Sequence, residues 1–170
     1  MASESDLQEM FQYFRIQKLL NEEAKYLDDW RLQDWLSLYT EDASYYVPPT
    51  DIAAAEADPT KHLYYIADNR GRMDERVTRL EKKTCHAEFP RSKVQHVVSN
   101  IVVNDSLENG RLSVSASFVI YRSKNGSTDM FMGSYLYELA NIEGQLRICK
   151  KVCSLALDGL RPQAKISIIL

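Results

Sequence analysis

Between Asp6 and about Asp29 the apolar positions recur at three- and four-residue steps: Leu7, Met10, Phe11 and Phe14, then Leu19, Leu20, Ala24 and Leu27. Side chains at that spacing share one helix face, so the pattern predicts a single long amphipathic helix, with Ser5 or Asp6 as its N-cap. A short second helix follows, carrying Leu32, Trp35, Leu36 and Tyr39 on one face and ending at Thr40-Glu41-Asp42. Ser44 to Val47 reads as a strand stopped by Pro48-Pro49. Thr50 to Lys61 reads as a loop with a helical turn, and His62 to Ala67 as a short strand. Met73, Val77 and Leu80 mark a third helix, from about Arg70 to Lys82.

The second half changes period. Leu112, Val114, Ala116, Phe118 and Ile120 alternate with Ser113, Ser115, Ser117, Val119 and Tyr121, the two-residue repeat of a half-buried strand. Val94 to Val103 precedes this strand, with the turn signal Glu108-Asn109-Gly110 between them. Asn125-Gly126 and Glu143-Gly144 supply two further turns, so Thr128 to Leu139 and Gln145 to Leu157 complete a run of long antiparallel strands. Helices first and a meander afterwards means α+β. A strongly curved sheet wrapped over the first helix would make the cone of the nuclear-transport-factor-2-like (SnoaL-like) folds. No repeat, low-complexity tract or linker divides the chain, which reads as one domain, residues 1–170.

Composition narrows the function more by exclusion than by indication. At 170 residues, 45% hydrophobic and 26% charged, the chain can bury a core of its own. A net charge of -3, with Lys and Arg scattered among Asp and Glu, gives no basic face for nucleic acid or an anionic membrane. No apolar run approaches the ~20 residues of a membrane span, and Met-Ala-Ser-Glu-Ser-Asp is no secretion signal, so the expected location is cytoplasmic. Cys85, Cys149 and Cys153 are too few, and odd in number, for a disulfide framework.

Metal chemistry finds little to build on. A Rieske centre takes two Cys and two His as spaced pairs. Here Cys85-His86 are adjacent, and Cys149 and Cys153, read as lying on one side of a strand, stand roughly 13 Å apart at ~3.3 Å per residue. His62, His86 and His96 fall on three separate segments, with no local pair to start a facial triad for mononuclear iron. Metal-free acid–base chemistry is the other option. A His with a carboxylate in a dry pocket moves protons near neutral pH, and a Tyr polarises a carbonyl. Tyr26, Asp28, Tyr45, Tyr46, His86 and His96 are the candidates. Tyr45 and Tyr46 are neighbours in a strand, so at most one points inward. Asp28-Asp29 reads as a solvated helix end with a salt bridge to a neighbour such as Arg31. His96 shares a strand face with Val98, Asn100 and Val102 and needs a partner. A stand-alone isomerase or dehydratase built on His96, Tyr45 or Tyr46 is thus one reading.

Several motifs carry a resemblance. The central ones are Arg76-Val77-Thr78-Arg79-Leu80, Ala87-Glu88-Phe89-Pro90-Arg91-Ser92, and His96-x-Val98-Ser99-Asn100. Around them stand Glu22-Glu23-Ala24, Asp34 to Ala43, Phe118 to Arg122, Asp129 to Gly133, and Lys150-Lys151-Val152 leading to Asp158-Gly159-Leu160-Arg161-Pro162. Together they resemble the beta (small) subunit of bacterial aromatic-ring-hydroxylating dioxygenases. The Gly-x-Ala-Trp-type run common in such subunits is replaced here by Lys83 to Glu88. The resemblance implies a non-catalytic structural subunit that holds no cofactor. It would associate as a trimer and carry three alpha subunits in an α3β3 hexamer. The alpha subunit would hold the Rieske [2Fe-2S] cluster and mononuclear Fe(II). Electrons from NAD(P)H would arrive through a reductase, with or without a ferredoxin, for cis-dihydroxylation of an aromatic ring.

The apolar end of the chain makes an expectation of its own. Ile166, Ile168, Ile169 and Leu170 follow Pro162 and have nothing after them to fold back as a cover, so they are expected at a subunit interface. Pairing with the chain's own sheet edge is the alternative.

Overall fold

The computed structural model describes residues 3–53, 55–160 and 165–170. Helix α1 runs Glu4–Asp28, its N-cap two to three residues earlier than the spacing implied. Ser3 is the N-cap: its side chain accepts from Asp6 N–H, and Asp6 accepts from Ser3 N–H, a reciprocal box that satisfies two otherwise open donors. Helix α2 is Leu32–Ser37 and α3 is Arg70–Glu81, the latter capped by the Asn69 side chain on Arg72 N–H. Tyr39 does not end α2. It opens strand β1, Tyr39–Val47, which absorbs Thr40-Glu41-Asp42 as well. Of the expected His62-to-Ala67 strand only Ile66 and Ala67 pair, in a β2 that runs Ile66–Asn69 and is thus displaced toward α3.

The remaining strands are β3 Lys93–Ser106, β4 Leu112–Lys124, β5 Ser127–Ile142 and β6 Gln145–Leu155. They form one sheet in the order β2-β1-β6-β5-β4-β3, antiparallel except where β1 runs parallel to β6. Asn125-Gly126 and Glu143-Gly144 all have positive φ, which matches the right-handed twist of the strands they join. Gly133 is required for another reason. A Cβ there would lie 2.0 Å from the Ser154 carbonyl oxygen, so the close approach of β5 to the end of β6 admits no side chain.

The sheet curls over the second half of α1. Ile16, Leu19, Leu20 and Leu27 meet Val114, Phe118, Ile120, Tyr135, Tyr137 and Leu139 from the concave face, with α2 and α3 closing one side. This is the α+β cone expected from the order of elements. Strand β3 departs from simple alternation. Val94, His96 and Val98 face inward, but Asn100 takes φ 51 and the register shifts between Ser99 and Val102. The inward set then becomes Ile101 and Val103, leaving Asn100 and Val102 exposed rather than on the face of His96. Another register shift, at Glu138/Leu139, lies opposite Cys149. It turns Cys149 toward Thr40 and Arg111, whereas Cys153 faces the interior, so the two thiols do not share a side.

Candidate functional site

The concave interior holds a buried ion pair that the sequence motifs did not expose. Glu23 occupies the apolar stripe of α1, one step from Leu19, Leu20 and Leu27. Its carboxylate accepts from Trp35 Nε1 at 3.1 Å, Tyr39 OH at 2.6 Å, Tyr137 OH at 2.8 Å and Lys151 Nζ at 3.0 Å. Lys151 sits between Tyr45 on β1 and Tyr137 on β5 in the sheet register, 4.2 Å over the Tyr135 ring. Burial opposes the charge on Glu23. The Lys151 cation and the two tyrosine hydroxyls outweigh it and hold the carboxyl below its ordinary value. The same burial, with Glu23 beside them, pushes Tyr39 and Tyr137 well above the ordinary phenol range. Burial raises the Cys153 thiol to about 12, so it is an inert side chain.

The end of the chain is the ligand of this interior. Ile168, Ile169 and Leu170 are buried in the core of their own chain, and Ile166 is half-buried against it. Lys151 Nζ donates to Leu170 O at 2.9 Å, and Leu170 N–H donates to Tyr45 OH at 3.0 Å. Ser167 Oγ donates to Glu88, which also accepts from Ser92 and from Arg122 Nε. Burial opposes ionisation of Glu88 too, but the Ser167, Ser92 and Arg122 donors keep its carboxyl lowered. Ile168, Ile169 and Leu170 are therefore not left uncovered, because their own chain covers them, and Ile166 is covered in part. They close the cone within one chain, through side-chain contacts rather than by pairing with a sheet edge. Pro162 lies outside the described residues.

His96, with its partner Asp28, and Tyr45 are brought to this segment; Tyr26, Tyr46 and His86 are not. His96 Nδ1 lies 2.7 Å from Asp28 Oδ1 and Nε2 3.2 Å from Ile169 O. Asp28 is thus no solvated helix end. It is partly buried and accepts also from His96 N–H and the Gln95 amide, while Asp29 pairs with Lys25. Tyr46 faces away from the interior against Tyr64. Tyr26 bonds Glu22 and lies under Arg31, and His86 is exposed on a separate loop. His62 Nδ1 accepts from Asp58 N–H. Among the described residues, no three His, Cys, Asp or Glu side chains converge as a metal site would require.

On its inner side His96 has little space, and on its outer side it and Asp28 border an open groove with Asn21, Lys25 and Gln95. The cavity bounded by His96, Ile168, Ile169, Leu27, Trp30 and Leu80 measures about 10 Å³, room for at most one water. His96 has both ring nitrogens engaged, Tyr45 is held by Leu170, and Glu23 is saturated by four donors. The groups with acid–base character are used to close the fold. Glu23 and Lys151 did leave a signal in the sequence. A carboxylate on the apolar stripe of a helix, and a Lys at an inward strand parity beside Cys153, point to each other.

Comparison with known proteins accords with this arrangement. The family model described as "Ring hydroxylating beta subunit" matches residues 22–161. The small oxygenase component of the p-cumate 2,3-dioxygenase system of Pseudomonas putida is 50% identical over 157 residues, covering 91% of this chain and 85% of that protein. The beta subunit of 3-phenylpropionate/cinnamic acid dioxygenase of Photorhabdus laumondii is 30% identical over 124 residues, 70% of this chain and 68% of that one. In fold, the chain superposes on naphthalene 1,2-dioxygenase with indole bound in its active site, with TM-score 0.79, 17% identity, and coverage of 99% and 95%. A nuclear-transport-factor-2-like protein of Novosphingobium aromaticivorans gives TM-score 0.62 at 13% identity, covering 96% and 97%.

Proposed function

This chain belongs to the ring-hydroxylating beta-subunit family and is the small subunit of an aromatic-ring-hydroxylating dioxygenase; we propose that it is the structural, metal-free part of an α3β3 oxygenase. The observation that carries the non-catalytic role is the filled cone. His96, Asp28, Tyr45, Glu23 and Lys151 are hydrogen-bonded to one another, to Trp35, Tyr39, Tyr137 and Gln95, and to residues 165–170. An acid–base enzyme of the same fold would keep such groups free around a cavity the size of its substrate.

In this reading the Rieske [2Fe-2S] cluster and the mononuclear Fe(II) belong to the alpha subunit. Electrons reach it from NAD(P)H through a reductase, with or without a ferredoxin, in the cytoplasm. The two relatives described above are named for aromatic acids, p-cumate and 3-phenylpropionate or cinnamic acid. An aromatic acid is accordingly the substrate class proposed for the assembled oxygenase, which would form its cis-dihydrodiol. The beta chain supports the assembly with its outer sheet face, where Val97, Tyr121, Met130, Met132 and Leu136 stand exposed.

The test is reconstitution. Purified alone, the chain should be colourless, trimeric by light scattering, and inactive on p-cumate. Co-expressed with the alpha subunit of its system, it should yield a hexamer whose iron resides in the alpha chain. Stoichiometric iron in the isolated chain, turnover by it alone, or a strict monomer that fails to capture an alpha subunit would overturn the reading.

A further inference from the structure

We infer that Arg72, Arg76 and Arg79 on α3 form a carboxylate-binding site whose occupant is an acidic side chain of the alpha subunit, which rests on the α3β3 reading. Of the motif Arg76-Val77-Thr78-Arg79-Leu80, the core uses only Val77 and Leu80. At steps of four and three the arginines share one face of the helix, apart from the buried Met73, Val77 and Leu80. Strand β2 runs directly into α3, which sets Asp68 against this face, 4% exposed and accepting from Arg76 Nε at 2.6 Å. That bond fixes the half-buried Arg76 guanidinium. Its two Nη nitrogens have no hydrogen-bond partner among the described residues and, unlike Arg70 Nε, are not sealed from water. Arg72 Nη1 donates to Ala67 O at 3.5 Å, and its Nε stands 3.9 Å from Asp68. The Arg79 side chain has no ion pair among the described residues, although Glu75 lies one helical turn before it.

Asp68, Arg72, Glu75, Arg76 and Arg79 line an open hollow of about 190 Å³. Three guanidiniums stand there against two carboxylates, so one positive charge remains. A singly charged carboxylate balances it, where a phosphate dianion overshoots, and a guanidinium fork matches two coplanar oxygens. The hollow is smaller than the roughly 300 Å³ at which pockets for drug-sized ligands begin, so it takes a carboxylate end and not a whole aromatic acid. An exposed ion pair holds a free acid weakly, whereas a carboxylate carried by a larger interface arrives at high effective concentration. The hollow adjoins β2, at one edge of the sheet. The exposed apolar residues Val97, Tyr121, Met130 and Met132 stand on β3, β4 and β5, toward the other edge. Interfaces between identical subunits are the more apolar kind, so that end suits the copies and the charged hollow suits the alpha subunit.

The double variant Arg72→Gln/Arg79→Gln removes two exposed cations and keeps good helix formers in their place. The isolated variant should therefore retain the circular dichroism, thermal midpoint and trimer of the unsubstituted chain. Its capture of the alpha subunit should be about tenfold weaker, with a shallower dependence on salt. In the unsubstituted isolated chain, acetate should shift the Arg76 Nε–H signal in NMR where chloride at equal ionic strength does not. The double variant should lose that shift. Unchanged capture and salt dependence overturn the inference, as does acetate that acts no differently from chloride. Loss of the trimer in the double variant overturns it too, because the carboxylate would then come from a second copy. If the unsubstituted chain captures no alpha subunit at all, the α3β3 reading falls and takes the inference with it.

Discussion

The first half of α1 and the last six residues are both apolar segments at the margins of the cone, and they have opposite fates. Leu7, Met10, Phe11 and Phe14 continue the stripe that Ile16, Leu19 and Leu20 bury, yet Met10 and Phe11 are 66% and 64% exposed. Ile168, Ile169 and Leu170, with no regular structure, are sealed in the core. The helix overhangs what lies beneath it. Met10 and Tyr13 border an open groove against Ile101–Ser106, and Phe11 and Phe14 another against the Gly144–Arg147 turn. The tail fits instead where Lys151, Tyr45 and His96 offer polar partners to its backbone. Apolar spacing records that a surface needs cover. What covers it depends on where the rest of the chain ends and where unsatisfied donors wait.

The comparison breaks most sharply at the pair beneath the tail. Glu23→Ala removes the counter-charge of Lys151 and the acceptor of three more buried donors. Stripping one partner from a buried ion pair costs about 3–5 kcal/mol, so urea unfolding of the isolated chain should show a loss of that order. Glu23→Gln should lose less, since the amide oxygen still accepts.

Next come matched truncations at the two margins. Leu170→Ala should destabilise the isolated chain by about 2–5 kcal/mol, because it deletes packed core atoms and leaves a cavity. Phe11→Ala should stay within about 0.5 kcal/mol, because its ring is mostly in water already. If both changes cost the same in the isolated chain, the contrast fails. If Phe11→Ala also leaves oxygenase assembly intact, the overhang is not a contact surface.

The smallest effect is in acid. Glu23 and Glu88 have folded carboxyls lowered from the ordinary 4.5. A lowered carboxyl contributes stability that is complete above about pH 4.5 and is lost as pH falls through the folded value. The urea midpoint should therefore drop below that pH, and Glu88→Gln should flatten part of the drop. A Glu88→Gln profile parallel to that of the unsubstituted chain would show that the Ser167–Glu88–Arg122 contact is not linked to acid stability.

Much of the cone was legible because it rests on local rules. The three-four spacing of α1, the serine-for-hydrophobe alternation of β4 and the Asn-Gly turns each state their conformation within a few residues. The boundaries drifted where a tertiary partner decided them. Tyr39 left α2 because β6 lay ready to pair with it, and Asn100 changed the parity of β3 through a bulge that no local pattern marks. The family motifs were equally local, which is why the beta-subunit assignment could be read from them.

The site was less legible, because its residues meet only through the fold. Glu23 and Lys151 are separated by 128 positions, Asp28 and His96 by 68, and Tyr45 and Leu170 by 125. By itself the sequence determined the elements, their order and the family, since periodicity, turn chemistry and motif are properties of neighbouring residues. Only the tertiary structure decided that the tail closes the cone, that Asp28 is a partner rather than a solvated end, and that the buried acid–base groups bond one another and the tail. Those are matters of which distant groups share a dry volume, and a buried charge or donor takes whatever partner the fold brings within reach.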